Sequence, residues 1–145
     1  MESAVPVIHR VEHRMRLADR NDLSRLTEIA QATLSDAAKL DLTALQHEQS
    51  LFVAEWRTAI DGFTVLLALQ DSLLIHRLAV AEEARGRGLG SWMLDVAGHH
   101  ARQLGLAAVE IQRAVEERET IAWLQRRGFS PMPHGGNRLY LRRPV

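Results

Sequence analysis

The chain has 145 residues with 18 basic and 18 acidic side chains, so its formal net charge is +0, and 46% of its residues are apolar. These values are typical of one soluble domain and argue against a dedicated surface for nucleic acid or anionic membranes. Because the chain has no cysteine, disulfides, thiolate metal sites and cysteine nucleophiles are excluded. The first residues have too short an apolar run for a signal peptide, and no stretch is long enough to span a membrane. We therefore expect a cytoplasmic protein.

A strand and two helices are predicted in the first third of the chain. Residues 15–18 alternate between apolar and polar side chains, which predicts a strand. Asp19 and Asp22 can cap a helix, and apolar residues then recur every three or four positions. This helical stripe comprises Leu23, Leu26, Ile29, Ala30, Thr33 and Leu34. A second, weaker helical segment covers residues 40–48.

Three apolar segments rich in branched and aromatic residues follow, at residues 50–56, 62–69 and 73–80. Stretches with turn chemistry separate them, namely Asp61-Gly62 and residues 70–72. Such short connections predict an antiparallel meander. Because the segments are apolar almost throughout, we expect the sheet to be covered on both faces.

The segment ARGRGLGS (residues 84–91) lies between the third of these strands and a predicted helix over residues 88–104. This helix has one apolar face and is closed by Gly105. The face comprises Leu89, Trp92, Met93, Val96, Ala97, His100 and Leu104. Residues 106–112 predict the next strand. A strand–helix–strand unit of this kind makes its two strands parallel.

A further helix and a final strand complete the predicted order of elements. Residues 116–127 have a helical pattern that Gly128 closes, and residues 138–143 alternate as a strand does. The mixture of helices, an antiparallel meander and one parallel pair places the chain in the α/β class.

The glycine-rich segment has the chemistry of a phosphate site. The first N–H groups of a helix have no intrahelical partner and lie at the positive end of the helix dipole. Glycines let the backbone come close to an anion, and Arg85 and Arg87 add positive charge. The segment lacks the ending of a Walker A loop, and Ser91 or Met93 stands where a dinucleotide fingerprint needs its third glycine. The alternative is a tight strand-to-helix turn without a ligand.

The pattern Arg85-x-x-Gly88-x-Gly90, preceded by Leu78-Ala79-Val80, resembles the acyl-CoA signature of the GNAT N-acetyltransferases. The element order and Arg127-Gly128-Phe129 after the last helix are also similar to that family. The resemblance implies a mixed, mostly antiparallel sheet with helices on both faces and a central parallel strand pair that splays apart at the cofactor site. We place this single domain at residues 14–145, after a lead-in over residues 1–13.

The resemblance also implies transfer of an acetyl or other short acyl group from acyl-CoA to a primary amine, by direct attack and without a covalent enzyme intermediate. The backbone around Ala79 would bind the pantetheine arm, and an N–H group there would stabilise the oxyanion. Backbone N–H groups from Gly86 onward would hold the pyrophosphate. The implied cofactor-binding residues are Leu78, Ala79, Val80, Arg85, Gly86, Arg87, Gly88, Leu89, Gly90 and Ser91.

The residues that would transfer protons depart from the family pattern. Many family members place a tyrosine, as general acid, four residues before the glycine of Gly-Phe, but this chain has Leu124 there. His76 is a candidate general base, because the unperturbed pKa of a histidine side chain lies near neutral pH. Glu110, on the neighbouring parallel strand, and Tyr140, on the last strand, are the other candidates. His134 also falls on the predicted substrate side.

The sequence leaves the acceptor amine open. Asp36, Asp41 and Glu48 could attract a cationic amine, or they could form a solvated helix face. We expect no metal, nucleic-acid or membrane partner. Because dimers are common in the family that the chain resembles, we also consider a homodimer. Because Leu124 cannot donate a proton, a non-catalytic acyl-CoA-binding module, acting as a sensor or a subunit, is the alternative function.

Overall fold

The computed structural model describes residues 13–133 and 136–145. Its strands are β1 (Arg14–Leu17), β2 (Leu51–Trp56), β3 (Ala59–Ala68), β4 (Ser72–Val80), β5 (Ala108–Ala114), β6 (Ser130–Met132) and β7 (Arg138–Pro144). Its α-helices are α1 (Leu23–Thr33), α2 (Leu42–His47), α3 (Leu89–Gln103) and α4 (Arg118–Arg126). Short 3₁₀ helices cover Arg20–Asp22, Ala37–Lys39 and Glu82–Ala84.

The strands form one mixed sheet in the order β1-β2-β3-β4-β5-β7-β6. β4 and β5 run parallel, whereas β1 with β2, β2 with β3, β5 with β7 and β6 with β7 run antiparallel. The predicted fold class, a mixed and mostly antiparallel sheet with one parallel pair and helices, is therefore confirmed. The short β6 is a strand that the alternation of side chains does not reveal. The division into a lead-in over residues 1–13 and a domain over 14–145 stays a prediction, since residues 1–12 lie outside the described part.

The chain divides into two compact units, the first of which extends to Leu66 and also includes Arg77–Leu94. Asp19 caps the first helical segment as predicted, because its side chain accepts a hydrogen bond from the Asn21 N–H while the Asp22 side chain accepts one from the Asp19 N–H. The core of this unit consists of apolar side chains from its strands and helices. They include Leu26, Ile29, Leu51, Val53, Phe63, Val65, Met93 and Leu94, all at most 2% exposed.

The second unit comprises Leu67–His76 and Asp95–Val145. In it, residues Ser72–Ile75 of β4 pair with Ala108–Ile111 of β5, and β5 pairs with β7 over its whole length. The large buried apolar side chains of this unit include Leu73, Ile75, Val109, Ile111, Leu124, Phe129 and Leu141. Gly128 has a φ of +91° after α4, as expected of a helix-ending glycine.

The predicted turn at Asp61-Gly62 is wrong, because both residues lie inside β3. The chain instead turns at Arg57 and Thr58, where Arg57 has a φ of +59°. Gly62 is needed for close packing rather than for a turn. A Cβ atom there would lie 2.6 Å from the Ala79 carbonyl oxygen.

Helix α3 matches its predicted span to within a residue at each end, and Gly105 ends it with a φ of +76°. Of the predicted apolar face, Leu89, Met93 and Ala97 are buried, but Leu104 is 51% exposed. Leu104 lies just beyond the helix, so the 3.6-residue period no longer governs its direction. In the described part of the chain, no helix is long and apolar enough to cross a membrane.

Candidate functional site

The segment between β4 and α3 is a tight turn, which we call the glycine turn (residues 81–88). It begins with the 3₁₀ helix Glu82–Ala84, for which Ala81 is the N-cap residue. Gly86 and Gly88 then have φ values of +79° and +81°. Residues with a Cβ atom rarely adopt this backbone conformation, so the two glycines are what allow the chain to turn here. Gly90, by contrast, lies within α3.

Backbone hydrogen bonds hold the first half of the glycine turn. The Ala81 N–H donates to the Asp61 carbonyl at 2.8 Å, and the Ala84 N–H donates to the Ala81 carbonyl at 2.9 Å. The second half is open, because a Cβ atom placed on Gly86 would meet no other atom within 4 Å. The turn therefore has a fixed base and an accessible glycine-rich tip.

The two arginines of the turn are exposed, and each donates to a nearby backbone carbonyl. Arg85 Nε lies 3.4 Å from the Val80 oxygen, and Arg87 Nη2 lies 3.0 Å from the Glu83 oxygen. A guanidinium group has five N–H donors. Each arginine can thus bind an anion while it keeps its contact with the turn.

The acidic neighbour of these arginines is engaged elsewhere. The Glu83 carboxylate has its pKa lowered by a hydrogen bond from its own backbone N–H and by one from Arg25. Arg25, on α1, donates to Glu83 Oε2 at 2.8 Å and to the Ile60 carbonyl at 3.2 Å. Within the described residues, the Glu83 carboxylate thus forms its ion pair with Arg25 rather than with Arg85 or Arg87.

The first turn of α3 adds further hydrogen-bond donors. The helix begins at Leu89, and its first completed bond beyond the turn runs from the Trp92 N–H to the Gly88 carbonyl at 3.0 Å. The N–H groups of Leu89 and Gly90 precede this bond and lie in the first turn, where N–H groups have no acceptor within the helix. Together with the helix dipole, they make this end of α3 favourable for an anion.

The end of β4 carries the three residues expected to bind the pantetheine arm. The pairing of β4 with β5 ends at Ile75, but β4 itself continues to Val80. Ala79 is buried, whereas Leu78 and Val80 are half-buried. The ten predicted cofactor-binding residues thus form one continuous strand–turn–helix segment, and their role and the splaying of the strand pair stay predictions.

Of the three predicted catalytic residues, Glu110 is already in an ion pair. Arg142 Nη1 donates to Glu110 Oε2 at 2.6 Å, and the Glu110 side chain is only 12% exposed. His76 is half-buried on β4, two residues before Leu78. Tyr140 is half-buried on β7, where it is paired with Gln112 of β5. His134 lies outside the described residues.

Leu124 stands where many family members have the tyrosine that acts as general acid. Its side chain is 1% exposed and belongs to the hydrophobic core. Within residues 13–133 and 136–145, no group of three or more His, Asp or Glu side chains is arranged to hold a metal ion.

Two of the three acidic residues considered for an amine acceptor, Asp36 and Asp41, have structural contacts. Asp36 forms an ion pair with Arg77 of β4, and Asp41 accepts a hydrogen bond from the Ala44 N–H at the start of α2. Glu48 is exposed after the end of α2. A cationic acceptor would have to compete with Arg77 for Asp36.

His13 is the last residue of the predicted lead-in. It is only 5% exposed, and its Nε2 lies 2.9 Å from Asp61 Oδ2. No local pattern reveals this contact, because the partners are 48 positions apart and His13 follows no apolar period.

Comparisons with known proteins agree with the fold and identify the family. A sequence model of the acetyltransferase (GNAT) family matches residues 16–129. Ard1 from Thermoplasma volcanium has a TM-score of 0.77 at 21% identity, over 92% of this chain and 98% of its own. The ribosomal-protein-S18-alanine N-acetyltransferase from Escherichia coli has a TM-score of 0.76 at 16% identity, over 92% and 94%.

The PaiA N-acetyltransferase from Thermoplasma acidophilum, whose structure is a complex with coenzyme A, has a TM-score of 0.73 at 15% identity, over 92% and 99%. No curated protein sequence matches the chain significantly. Because all three structural relatives are under 25% identical, they show the fold alone.

Proposed function

The chain belongs to the acetyltransferase (GNAT) family, and from that premise we propose that it transfers an acetyl or other short acyl group from acyl-CoA to a primary amine. The observation that carries this proposal is the glycine turn. Its two glycines with positive φ lead directly into the first turn of a 15-residue helix. Two exposed arginines flank the open position at Gly86.

These residues fit the pyrophosphate of coenzyme A. N–H groups of the turn and of Leu89, Gly90 and Ser91 would donate to the phosphate oxygens, while Arg85 and Arg87 would neutralise their charge. The backbone of Leu78, Ala79 and Val80 would bind the pantetheine arm, since this part of β4 extends past its pairing with β5. The coenzyme thioester supplies an activated acyl group.

The proposed reaction is a direct transfer. The amine nitrogen forms a bond to the acyl carbon, the carbon–sulfur bond breaks, and the thiolate leaves. A backbone N–H near Ala79 would stabilise the developing oxyanion. The nitrogen must also lose a proton, and we assign this step to His76, because the Glu110 carboxylate is held by Arg142. Tyr140 would contact the acceptor or the leaving group.

The decisive experiment is a calorimetric titration of acetyl-CoA into two matched variants, Gly86→Asp and Gly105→Asp. Both glycines have a similar positive φ, and neither has an atom within 4 Å of its Cβ position. Both substitutions therefore bear the same backbone strain, of about 1–2 kcal/mol. Only the carboxylate at position 86 would repel the pyrophosphate, and we expect it to weaken binding by at least about tenfold.

Micromolar binding that survives in Gly105→Asp and is lost in Gly86→Asp would support the proposal. Absence of binding by the unmodified chain would contradict it. Equal loss of affinity in both variants would indicate that the turn is not part of the binding site.

One observation favours a second candidate, a non-catalytic acyl-CoA-binding module. Leu124 cannot donate a proton to a thiolate, and it is buried in the core. If the chain is an enzyme, CoA release in the presence of a broad amine panel should depend on His76 and fall in His76→Gln. If it is a sensor or a subunit, the chain should bind acetyl-CoA and release no CoA with any amine. The acceptor, a small molecule or a protein amine, would emerge from the same panel.

A further inference from the structure

A buried pair of titratable side chains, His13 and Asp61, has no part in the proposed chemistry. The His13 side chain is 2% exposed and the Asp61 side chain 14% exposed. His13 Nε2 and Asp61 Oδ2 share a hydrogen bond across 2.9 Å. Burial of such groups is costly unless they are paired. This cost raises the question of what the pair holds in place.

Asp61 connects the pair to the start of the glycine turn. Its carbonyl oxygen accepts the Ala81 N–H at 2.8 Å, and Ala81 is the first residue after β4. Ala81 is also the N-cap residue of the 3₁₀ helix that opens the turn. The backbone position of Asp61 therefore determines where the turn begins.

His13 connects the same pair to the end of the turn. The centroid of its ring lies 5.9 Å from that of Trp92, in the first turn of α3, and 6.0 Å from that of Trp56. The Trp92 N–H in turn donates to the carbonyl oxygen of Gly88, the last residue of the turn, at 3.0 Å. The hydrogen-bonded pair is thus linked to both ends of the glycine turn, directly through the Asp61 backbone at its start and indirectly through Trp92 at its end.

We propose that His13 and Asp61 are positioning residues. They hold the backbone of the glycine turn in the conformation in which its N–H groups can bind the pyrophosphate. This inference rests on the proposed function. Donors that are held in place before binding avoid the entropic cost of ordering them when the ligand arrives. Loss of the pair should therefore weaken binding of the pyrophosphate, which the turn contacts. It should leave binding of the pantetheine arm, which β4 contacts, nearly unchanged.

The test compares two probes, coenzyme A and pantetheine, which lacks the pyrophosphate. The variants are Asp61→Asn, which keeps the shape and one acceptor oxygen, and His13→Gln. The matched control is Thr64→Val on the same strand. Its hydroxyl donates to the Arg77 carbonyl at 2.7 Å and is as deeply buried, but it does not bond the glycine turn.

We expect Asp61→Asn and His13→Gln to raise the Kd for coenzyme A by about tenfold or more, and the Kd for pantetheine, followed by ligand-observed NMR, by less than about twofold. Thr64→Val should leave the ratio of the two Kd values unchanged. If His13→Gln does not fold, Asp61→Asn carries the test. In that variant, amide hydrogen exchange over residues 81–88 should also be faster than in the parent, while exchange in β2 is unchanged.

If the pair has only a structural role, the two variants should weaken binding of both probes equally, or of neither. Either result overturns the inference. Unchanged exchange in the turn would also overturn it. If the parent chain itself does not bind coenzyme A, the proposed function fails and the inference fails with it. That outcome is distinguishable, because it needs no variant.

Discussion

Gly62 and Ala79 approach each other so closely that no side chain can stand between them. A Cβ atom on Gly62 would lie 2.6 Å from the Ala79 carbonyl oxygen and 3.3 Å from Met93 Sδ. We predict that Gly62→Ala lowers the free energy of unfolding by about 2–3 kcal/mol, because a backbone oxygen must move. Since that oxygen belongs to the proposed pantetheine strand, binding of coenzyme A should weaken as well. Urea unfolding and calorimetry would measure the two effects.

Gly98→Ala is the control for this prediction. Gly98 lies inside α3, and its nearest neighbour is the end of the flexible Arg143 side chain, 3.3 Å from the Cβ position. Alanine favours a helix over glycine, so this variant should be neutral or more stable by up to about 1 kcal/mol. Similar destabilisation in both variants would contradict the contact between Gly62 and Ala79.

Arg16 makes the stability of the first unit depend on pH. It bonds Asp22 at 2.8 Å and Glu55 at 3.1 Å, and these hydrogen bonds lower the pKa of both carboxyls. A carboxyl with a lowered pKa stabilises the fold above its unfolded value and loses that contribution as the pH falls through its folded value. Arg16→Gln should therefore cost about 2 kcal/mol at pH 7, and the difference from the parent should shrink below about pH 4.

Arg14→Gln serves as the comparison, because Arg14 contacts the same Glu55 but is 72% exposed. Its loss should cost less than about 1 kcal/mol at pH 7, since solvent screens an exposed pair. The measurement is denaturant unfolding of all three proteins across pH 3–7. A gap between parent and Arg16→Gln that stays constant over this range would show that Arg16 acts through packing alone.

The ion pair between Glu110 and Arg142 predicts a structural role for Glu110. Glu110→Gln should lower the free energy of unfolding by about 1–2 kcal/mol, because it leaves a guanidinium that is only 29% exposed with the more distant Asp71 carboxylate, 3.4 Å away, as its remaining ion-pair partner. The pH profile of kcat/KM should keep its acidic limb. Arg142→Gln and the double variant complete a double-mutant cycle, in which non-additive costs are expected of contacting residues. An acidic limb lost in Glu110→Gln but kept in Arg142→Gln would make Glu110 the base.

Most of the fold could be predicted from local patterns in the sequence. The stripe of α1, the apolar strands and the helix-ending glycines at 105 and 128 each depend on neighbours within a few residues, and the structure has these elements. The family could also be predicted, since its signature lies in one continuous segment from Leu78 to Gly90.

Contacts between distant parts of the chain could not be predicted in this way. Gly62 has the sequence context of a turn residue but lies in a strand, where the nearness of Ala79 explains why the residue is glycine. His13 and Asp61 follow no period that would join them, and Asp36 looks like a solvated charge until β4 brings Arg77 to it. The roles assigned to His76 and Tyr140 stay predictions for the same reason, since they depend on where a substrate lies.

Leu124 provides the sharpest test of how the family pattern has changed. The side chain is 1% exposed, so it packs in the core instead of facing a ligand. We predict that Leu124→Tyr gives no gain in kcat and costs about 1–3 kcal/mol of stability, because a larger side chain with a hydroxyl must enter a filled space. Leu124→Met, which conserves volume, should cost less than about 1.5 kcal/mol. A rise in kcat at unchanged stability in Leu124→Tyr would contradict this prediction. It would mean that a side chain at position 124 reaches the thiolate and that leucine stands in place of a functional general acid.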